Sequence, residues 1–151
     1  MDTNDIVIER VTEFSSEVAD AVRNLVKQLV SDNRLLTDTE FKEIIEPKQS
    51  FLFIAREVSS NTIAGVVMMV IYRIPDSKKA YLDDLIVDEK FRGRGIAKLL
   101  FKEVIATARE HKAQYIMLTS NPLREAGVRL YEKLGFQKRD TNVYRLEVTH
   151  E

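Results

Sequence analysis

Apolar residues recur along this chain in two rhythms, every second position or every third to fourth, and the switches between them mark out its elements. Ile6 to Ile8 is a short apolar run that predicts a strand. Val18, Val22, Leu25, Val26 and Leu29 then recur at helical spacing with charged residues between them, predicting an amphipathic helix over residues 16–30 capped by Ser15 or Ser16. Thr37-Asp38-Thr39 ahead of residues 40–45 predicts a short capped helix, a candidate wall for a substrate pocket. It ends before Pro47, because the residue preceding a proline is disfavoured in helical geometry. Residues 51–55 and 62–72 are rich in β-branched and aromatic side chains, and the polar Ser59-Ser60-Asn61 between them predicts an antiparallel hairpin.

In the second half, residues 80–87 predict a further strand, and residues 93–111 a long helix with Ile96, Leu99, Leu100 and Val104 on one face. Residues 115–118 predict a strand, and residues 122–134 a helix with Pro122 near its start and Gly135 just past its end. Residues 143–148 alternate and predict a last strand that closes the sheet. The resulting order, β-α-α-β-β-β-α-β-α-β, is mixed α/β: hairpins in the first half and a crossover helix in the second, which makes its two flanking strands parallel neighbours.

Composition narrows the classes of function. At 151 residues, with no repeat, low-complexity tract or linker, a single domain over residues 1–151 is expected. Hydrophobic residues make up 44% and charged residues 31%, with only 5 Gly and 3 Pro, a globular balance and not that of a disordered chain. No apolar run approaches the roughly 20 residues of a membrane span, and the N-terminus lacks the layout of a secretory signal, so a cytoplasmic protein without membrane partners is expected. Zero Cys excludes a disulfide framework and a Cys nucleophile, and the isolated His111 and His150 cannot build a histidine-rich site, so no metal is expected. A formal net charge of -1 offers no global attraction for nucleic acid, and any polyanion site must be local.

Such a local site is written at Arg92-Gly93-Arg94-Gly95-Ile96-Ala97, where the chain passes from the strand ending in Leu85-Ile86-Val87 into a helix through glycines. A helix start presents N–H groups without intrahelical partners at the positive end of the dipole, where phosphates bind, and glycines let the backbone come close. A Walker loop is excluded, because Lys98 follows Ala97 and precedes Leu99. The dinucleotide fingerprint requires Gly or Ala where Lys98 stands, and an early βαβ unit that is missing. The segment instead matches Arg/Gln-x-x-Gly-x-Gly/Ala, the acetyl-CoA motif of the GCN5-related N-acetyltransferases. A second stretch also resembles that family: Ser120-Asn121-Pro122, Ala126, and Leu130-Tyr131-Glu132-Lys133-Leu134-Gly135-Phe136. The likeness is good over residues 79–136 and rests on element order alone before that.

The resemblance implies a mostly antiparallel mixed sheet, splayed at the acetyl-CoA site and flanked by helices. It implies acetyl-CoA as co-substrate, with pyrophosphate on the backbone of Arg92 to Ala97 and pantetheine along the backbone of Leu85, Ile86 and Val87. Arg94 and Lys98 read either as phosphate cations or as solvated surface. Asn121 reads either as a pantetheine ligand, as in the family, or as a helix cap. Tyr131 takes the family's acid role, protonating the departing thiolate. For a base, the chain offers Asp83 and Asp84, which period-two alternation points to opposite faces. Asp83 falls on the Glu of a similar strand in the spermidine/spermine and glucosamine-phosphate acetyltransferases, and as a shorter acid it favours a water relay. Structural strand-end carboxylates are the other reading of this pair.

The resemblance implies a primary amine of a small molecule or peptide as the acceptor. Glu40, Glu43 and Glu46 suit a polyamine or simply a solvated helix face; Arg73, Lys78 and Lys79 suit an amino-sugar phosphate; Tyr72 and Tyr144 line the acceptor pocket or merely pack. The stretch Arg139-Asp140-Thr141-Asn142-Val143-Tyr144-Arg145 resembles the ending of bacterial acetyltransferases of unassigned substrate. A homodimer through an exposed sheet edge is compatible with this pattern. The competing function is an acyl-CoA-binding sensor or regulatory module on the same fold without turnover.

Overall fold

A computed structural model describes residues 3–31 and 34–150. The hairpin of β2 (Ser50–Glu57) and β3 (Thr62–Ile74) lies inside the sheet. Residues 50–55 of β2 are buried on both faces, as in a strand covered on two sides. β1 (Ile6–Val11) pairs antiparallel with the outer edge of β2, and β4 (Ser77–Val87) with β3. β5 (Tyr115–Met117) adds in parallel to β4, giving one open sheet in the order β1-β2-β3-β4-β5. The expected parallel pair around a crossover helix is thus present.

Helices cover both faces. α1 (Ser16–Leu29) starts at Ser15, whose hydroxyl accepts from the Val18 N–H, and buries Val18, Ala19, Val22 and Leu25. α2 (Asp38–Ile45) opens with a capping box, Thr37 and Glu40 each satisfying the other's backbone N–H. These helices share a core with Leu52, Ile54, Val66 and Ile86. Arg23 of α1 fastens the pair by donating to the Leu36 carbonyl and to Asp38. The alternate residues of the central strands meet α3 (Ile96–Glu110), which buries Ile96, Leu100, Phe101 and Val104.

One position sets how close α3 comes. A Cβ on Gly65 of β3 would lie 3.1 Å from the Ile86 carbonyl oxygen and 3.3 Å from both Ile96 Cγ2 and Leu100 Cδ1. The missing side chain is what lets the first two turns of α3 rest on the sheet.

By its internal packing the chain forms two compact units, residues 1–119 and 120–151. The second contains α4 (Glu125–Lys133), which starts later than the expected residue 122, because Asn121 to Arg124 form a turn closed by Arg124 N–H to Asn121 C=O at 2.9 Å. Gly135, at φ 96°, stands just past its end as expected. The expected last strand over 143–148 is not formed: these residues adopt no regular structure, and Val143, Tyr144, Leu146 and Val148 are exposed. Alternation describes how a segment would divide between two faces of a sheet, and without a hydrogen-bonded neighbour it does not make a strand.

Gly65→Ala is expected to lower stability by about 1–3 kcal/mol, the usual cost of overpacking. Urea denaturation measures it, and an unchanged midpoint would show that α3 yields without cost.

Candidate active site

Two irregularities in consecutive segments build the site. The first is in β4. Its register with β3 pairs Met68 with Asp83 and Val66 with Ile86, so Val67 alone faces two residues, Asp84 and Leu85. This is a β-bulge, and Asp84 takes up the extra length in left-handed geometry at φ 51°, which Asp tolerates better than most residues. The break in alternation falls at Asp84 and Leu85, just after Asp83, and both carboxylates are exposed. Desolvation, chiefly, and then the charge of Asp84 push the Asp83 carboxyl above the usual carboxylate range.

Along the other edge of β4 the sheet opens. β5 pairs with β4 only at Lys79, Ala80 and Tyr81. From Leu82 to Val87 the edge of β4 turned away from β3 has no strand beside it among the described residues. Ile86 is buried in the core while Leu85 and Val87 are half-buried, so the strand is anchored by its side chains as its backbone lies open.

The second irregularity follows at once. After Val87 the chain makes a single 3-10 turn, Glu89–Phe91, held by the Asp88 carboxylate on the Lys90 N–H and by the Gln28 side chain of α1 on the Glu89 N–H. Gly93 and Gly95 then adopt φ 79° and 77°, a region costly for any residue with a Cβ. Gly95 is the N-cap of α3, so the helix starts at Ile96 and not at residue 93 as the spacing predicts.

The first intrahelical bond runs from the Leu99 N–H to the Gly95 carbonyl. The N–H groups of Ile96, Ala97 and Lys98 thus precede any helical partner, and no acidic residue stands in the first turn. Ile96 is buried and Ala97 half-buried, while Arg92, exposed, bends its Nε back to the Val87 carbonyl at 3.3 Å. Arg94 was read as a phosphate cation or a solvated one. Its side chain is largely shielded: it pairs with Glu57 at 2.8 Å and its guanidinium lies over the Phe91 ring at 5.2 Å.

Gln28, Glu57 and Gly65 support this turn, and none was legible beforehand, since each lies on another element with no local motif around it. An open strand edge running into a helix N-terminus offers backbone hydrogen bonds to an extended amide-bearing arm and a positive end to an anion.

Asn121 and Tyr131 belong to the second unit. The Asn121 side-chain oxygen accepts from the Leu123 N–H at 2.9 Å, so it closes the turn before α4 and is not the helix N-cap, which is Arg124. Tyr131 lies on α4 above Gly127: a Cβ added there would stand 3.6 Å from the phenol oxygen, in ordinary contact. The Tyr131 ring meets Phe136 edge-on at 6.2 Å. Burial, opposed by the charge of Arg124, raises the phenol above its usual value and keeps it protonated through neutral pH.

Residues 19–136 match the family model described as acetyltransferase (GNAT) family. The chain belongs to this family. Both motif regions of this GNAT chain lie inside the match. It is 34% identical to rat N-acetyltransferase 8F1 over 82 residues, 53% of this chain and 37% of that protein. It is 26% identical to Xenopus laevis N-alpha-acetyltransferase 30 over 143 residues, 94% of this chain and 50% of that one. The chain thus spans between about a third and half of the length of these curated relatives.

Among solved structures, an aminoglycoside acetyltransferase from a soil metagenome, in complex with sisomicin, superposes with TM-score 0.84 at 15% identity. That superposition covers 97% of this chain and 98% of that one. Arabidopsis thaliana glucosamine-6-phosphate N-acetyltransferase gives 0.77 at 21% identity, covering 93% and 97%. At such identities these likenesses establish the GNAT fold.

Asp84→Asn, which keeps a residue tolerant of left-handed geometry, is expected to lower the pH at which the Asp83 carboxyl titrates without restoring the ordinary value, because desolvation is the larger cause. Carbon-detected NMR titration of Asp83 measures it, and an unmoved curve would remove Asp84 as a cause.

Proposed function

We propose that this chain transfers an acetyl group from acetyl-CoA directly to a primary amine of a small molecule or peptide. The observation that carries the reading is the continuity of the open β4 edge, residues 82–87, with the glycine turn and the N-terminus of α3. Acetyl-CoA has the matching layout: an extended arm with two amides, joined to a pyrophosphate. The backbone of Leu85, Ile86 and Val87 would hold the arm and polarise the thioester, and the N–H groups from Arg92 to Ala97, with the Arg92 charge, would hold the pyrophosphate. Asn121 is assigned to the arm as well, through the part of its amide not used in its turn.

In the step itself the neutral amine attacks the thioester carbon, a C–N bond forms and the C–S bond breaks. Asp83, through a water, takes the proton that the amine loses, and Asp84 sustains its basicity. Tyr131 gives its proton to the departing sulfur. An alkylammonium near pKa 10.4 is almost fully protonated at neutral pH, and a carboxylate whose pKa has been raised is a better acceptor for its proton than an ordinary one. The two units would then serve one domain over residues 1–151, a reading supported by the family match, which runs across their boundary. The acceptors named for the similar structures, an aminoglycoside and glucosamine-6-phosphate, are both amines and belong in the first panel tested.

Thiol release from acetyl-CoA, measured against polyamines, amino sugars, aminoglycosides and peptide N-termini, tests the reaction. Acetyl-CoA binding without turnover on any class would favour a sensor. Tyr131→Phe is expected to lower kcat about 100-fold while acetyl-CoA binding persists; unchanged turnover would remove Tyr131 from the mechanism. In Asp83→Asn the low-pH limb of kcat/KM is expected to vanish. The sign follows from the raised pKa: the wild-type base becomes active as pH rises through a value above the usual carboxylate range. A limb retained in the folded variant would place the base elsewhere.

A further inference from the structure

Arg94 stands between two glycines in left-handed geometry, the part of the turn with the most conformational freedom to lose. Its side chain nevertheless leaves the turn and reaches the end of β2. Among the ion pairs of the described residues, Arg94 with Glu57 is the one in which both side chains are largely shielded, at 26% and 16% exposure. Glu57 is itself fixed. Its backbone pairs with Ile6 on one side and Thr62 on the other, and its second carboxylate oxygen accepts from the Ser60 hydroxyl at 2.6 Å. The Ser60 bond, then Arg94, holds the carboxyl below the usual range, so it is ionised at neutral pH. The Phe91 ring covers the guanidinium from within the turn.

We infer that Glu57 is a positioning residue for the acetyl donor: by bracing Arg94 it holds the Gly93-Arg94-Gly95 backbone in the shape that receives pyrophosphate. This rests on the acetyl-CoA reading of the turn. The same contact changes the role of Arg94. Its charge is already answered by Glu57, so the phosphates meet backbone N–H groups and the exposed Arg92 and Lys98, and Arg94 ties the turn to the sheet. The brace crosses from the β2–β3 hairpin to the start of α3, while Gln28 holds the beginning of the turn from α1.

The test compares wild type, Glu57→Gln, Arg94→Met, the double variant and the exchange Glu57→Arg with Arg94→Glu. It measures kcat and KM for acetyl-CoA, CoA affinity by calorimetry and backbone order parameters of Gly93 and Gly95. Glu57→Gln is expected to raise KM and the CoA Kd by about 3- to 10-fold with kcat little changed, the size expected of one shielded ion pair. The order parameters of the two glycines should fall. Arg94→Met should match it, the double variant should be no worse than either, and the exchange should recover part of the loss. Tighter CoA binding in Glu57→Gln would overturn the inference by showing that Glu57 withholds Arg94 from the phosphates. Unchanged affinity and glycine order in Glu57→Gln would overturn it too, as would a fall in kcat alone. If the wild-type protein binds no CoA, the proposed function fails and this role fails with it. If wild type binds CoA and glycine order falls in Glu57→Gln with CoA affinity unchanged, this inference fails while the proposed function stands.

Discussion

The close seating of α3 on the sheet is the constraint on which the rest of the first unit depends. A helix N-terminus is useful to an anion only if it is held still, and α3 is held by Ile96 and Leu100 resting where Gly65 has no side chain. Interiors are close-packed, so a position that lets two elements approach by the width of a methyl group fixes where both end. Here one of those ends is the glycine turn. The same glycine pairs with Val87 at the tip of β4, so a single position registers the open strand and the helix start against each other.

That registration explains why the irregularities lie where they do. The bulge at Asp84 and Leu85 and the left-handed Gly93 and Gly95 break regular structure within one short stretch of chain. Strain of this kind persists only where surrounding structure over-determines it. On one side the buried Ile86 and the β3 pairing hold β4; on the other the Gln28, Asp88 and Glu57 contacts hold the turn. The open backbone between them is a consequence of regular structure being completed on every other side.

What the sequence made legible follows from how local each cause is. The cap of α2 within Thr37-Asp38-Thr39, the cap of α1 at one of Ser15 and Ser16, and Gly135 past α4 depend on residues a few positions apart, and all appear where the pattern puts them. The glycine turn was legible for the same reason, though the helix begins later than the spacing suggests because Gly95 spends a position on its left-handed cap. The bulge was not legible: Asp84 and Leu85 alternate perfectly well on paper, and only the pairing of Met68 and Val66 with β4 reveals the extra residue. The partner of Arg94 was hidden likewise, since Glu57 reads as an ordinary charge at a hairpin end. Residues 143–148 failed in the other direction, their alternation being a statement about a neighbour that the described residues do not supply.

In the proposed mechanism, desolvation serves an acid and a base at once without bringing them into conflict. Desolvation disfavours charge, so it raises both the Asp83 carboxyl and the Tyr131 phenol. For the base, a raised pKa strengthens its hold on the proton taken from the amine. For the acid, it keeps the phenol protonated through neutral pH, so that a proton is in place as charge develops on the departing sulfur. The opposing cause on Tyr131 is the positive charge of Arg124, which stabilises the phenolate left behind and so limits how reluctant a donor the phenol becomes. The working range of such a pair is bounded below by the carboxyl and above by the phenol, and because both move upward it stays broad across neutral pH. An enzyme whose acceptor is an alkylammonium gains from that direction, since every step toward higher pH enlarges the fraction of amine able to attack.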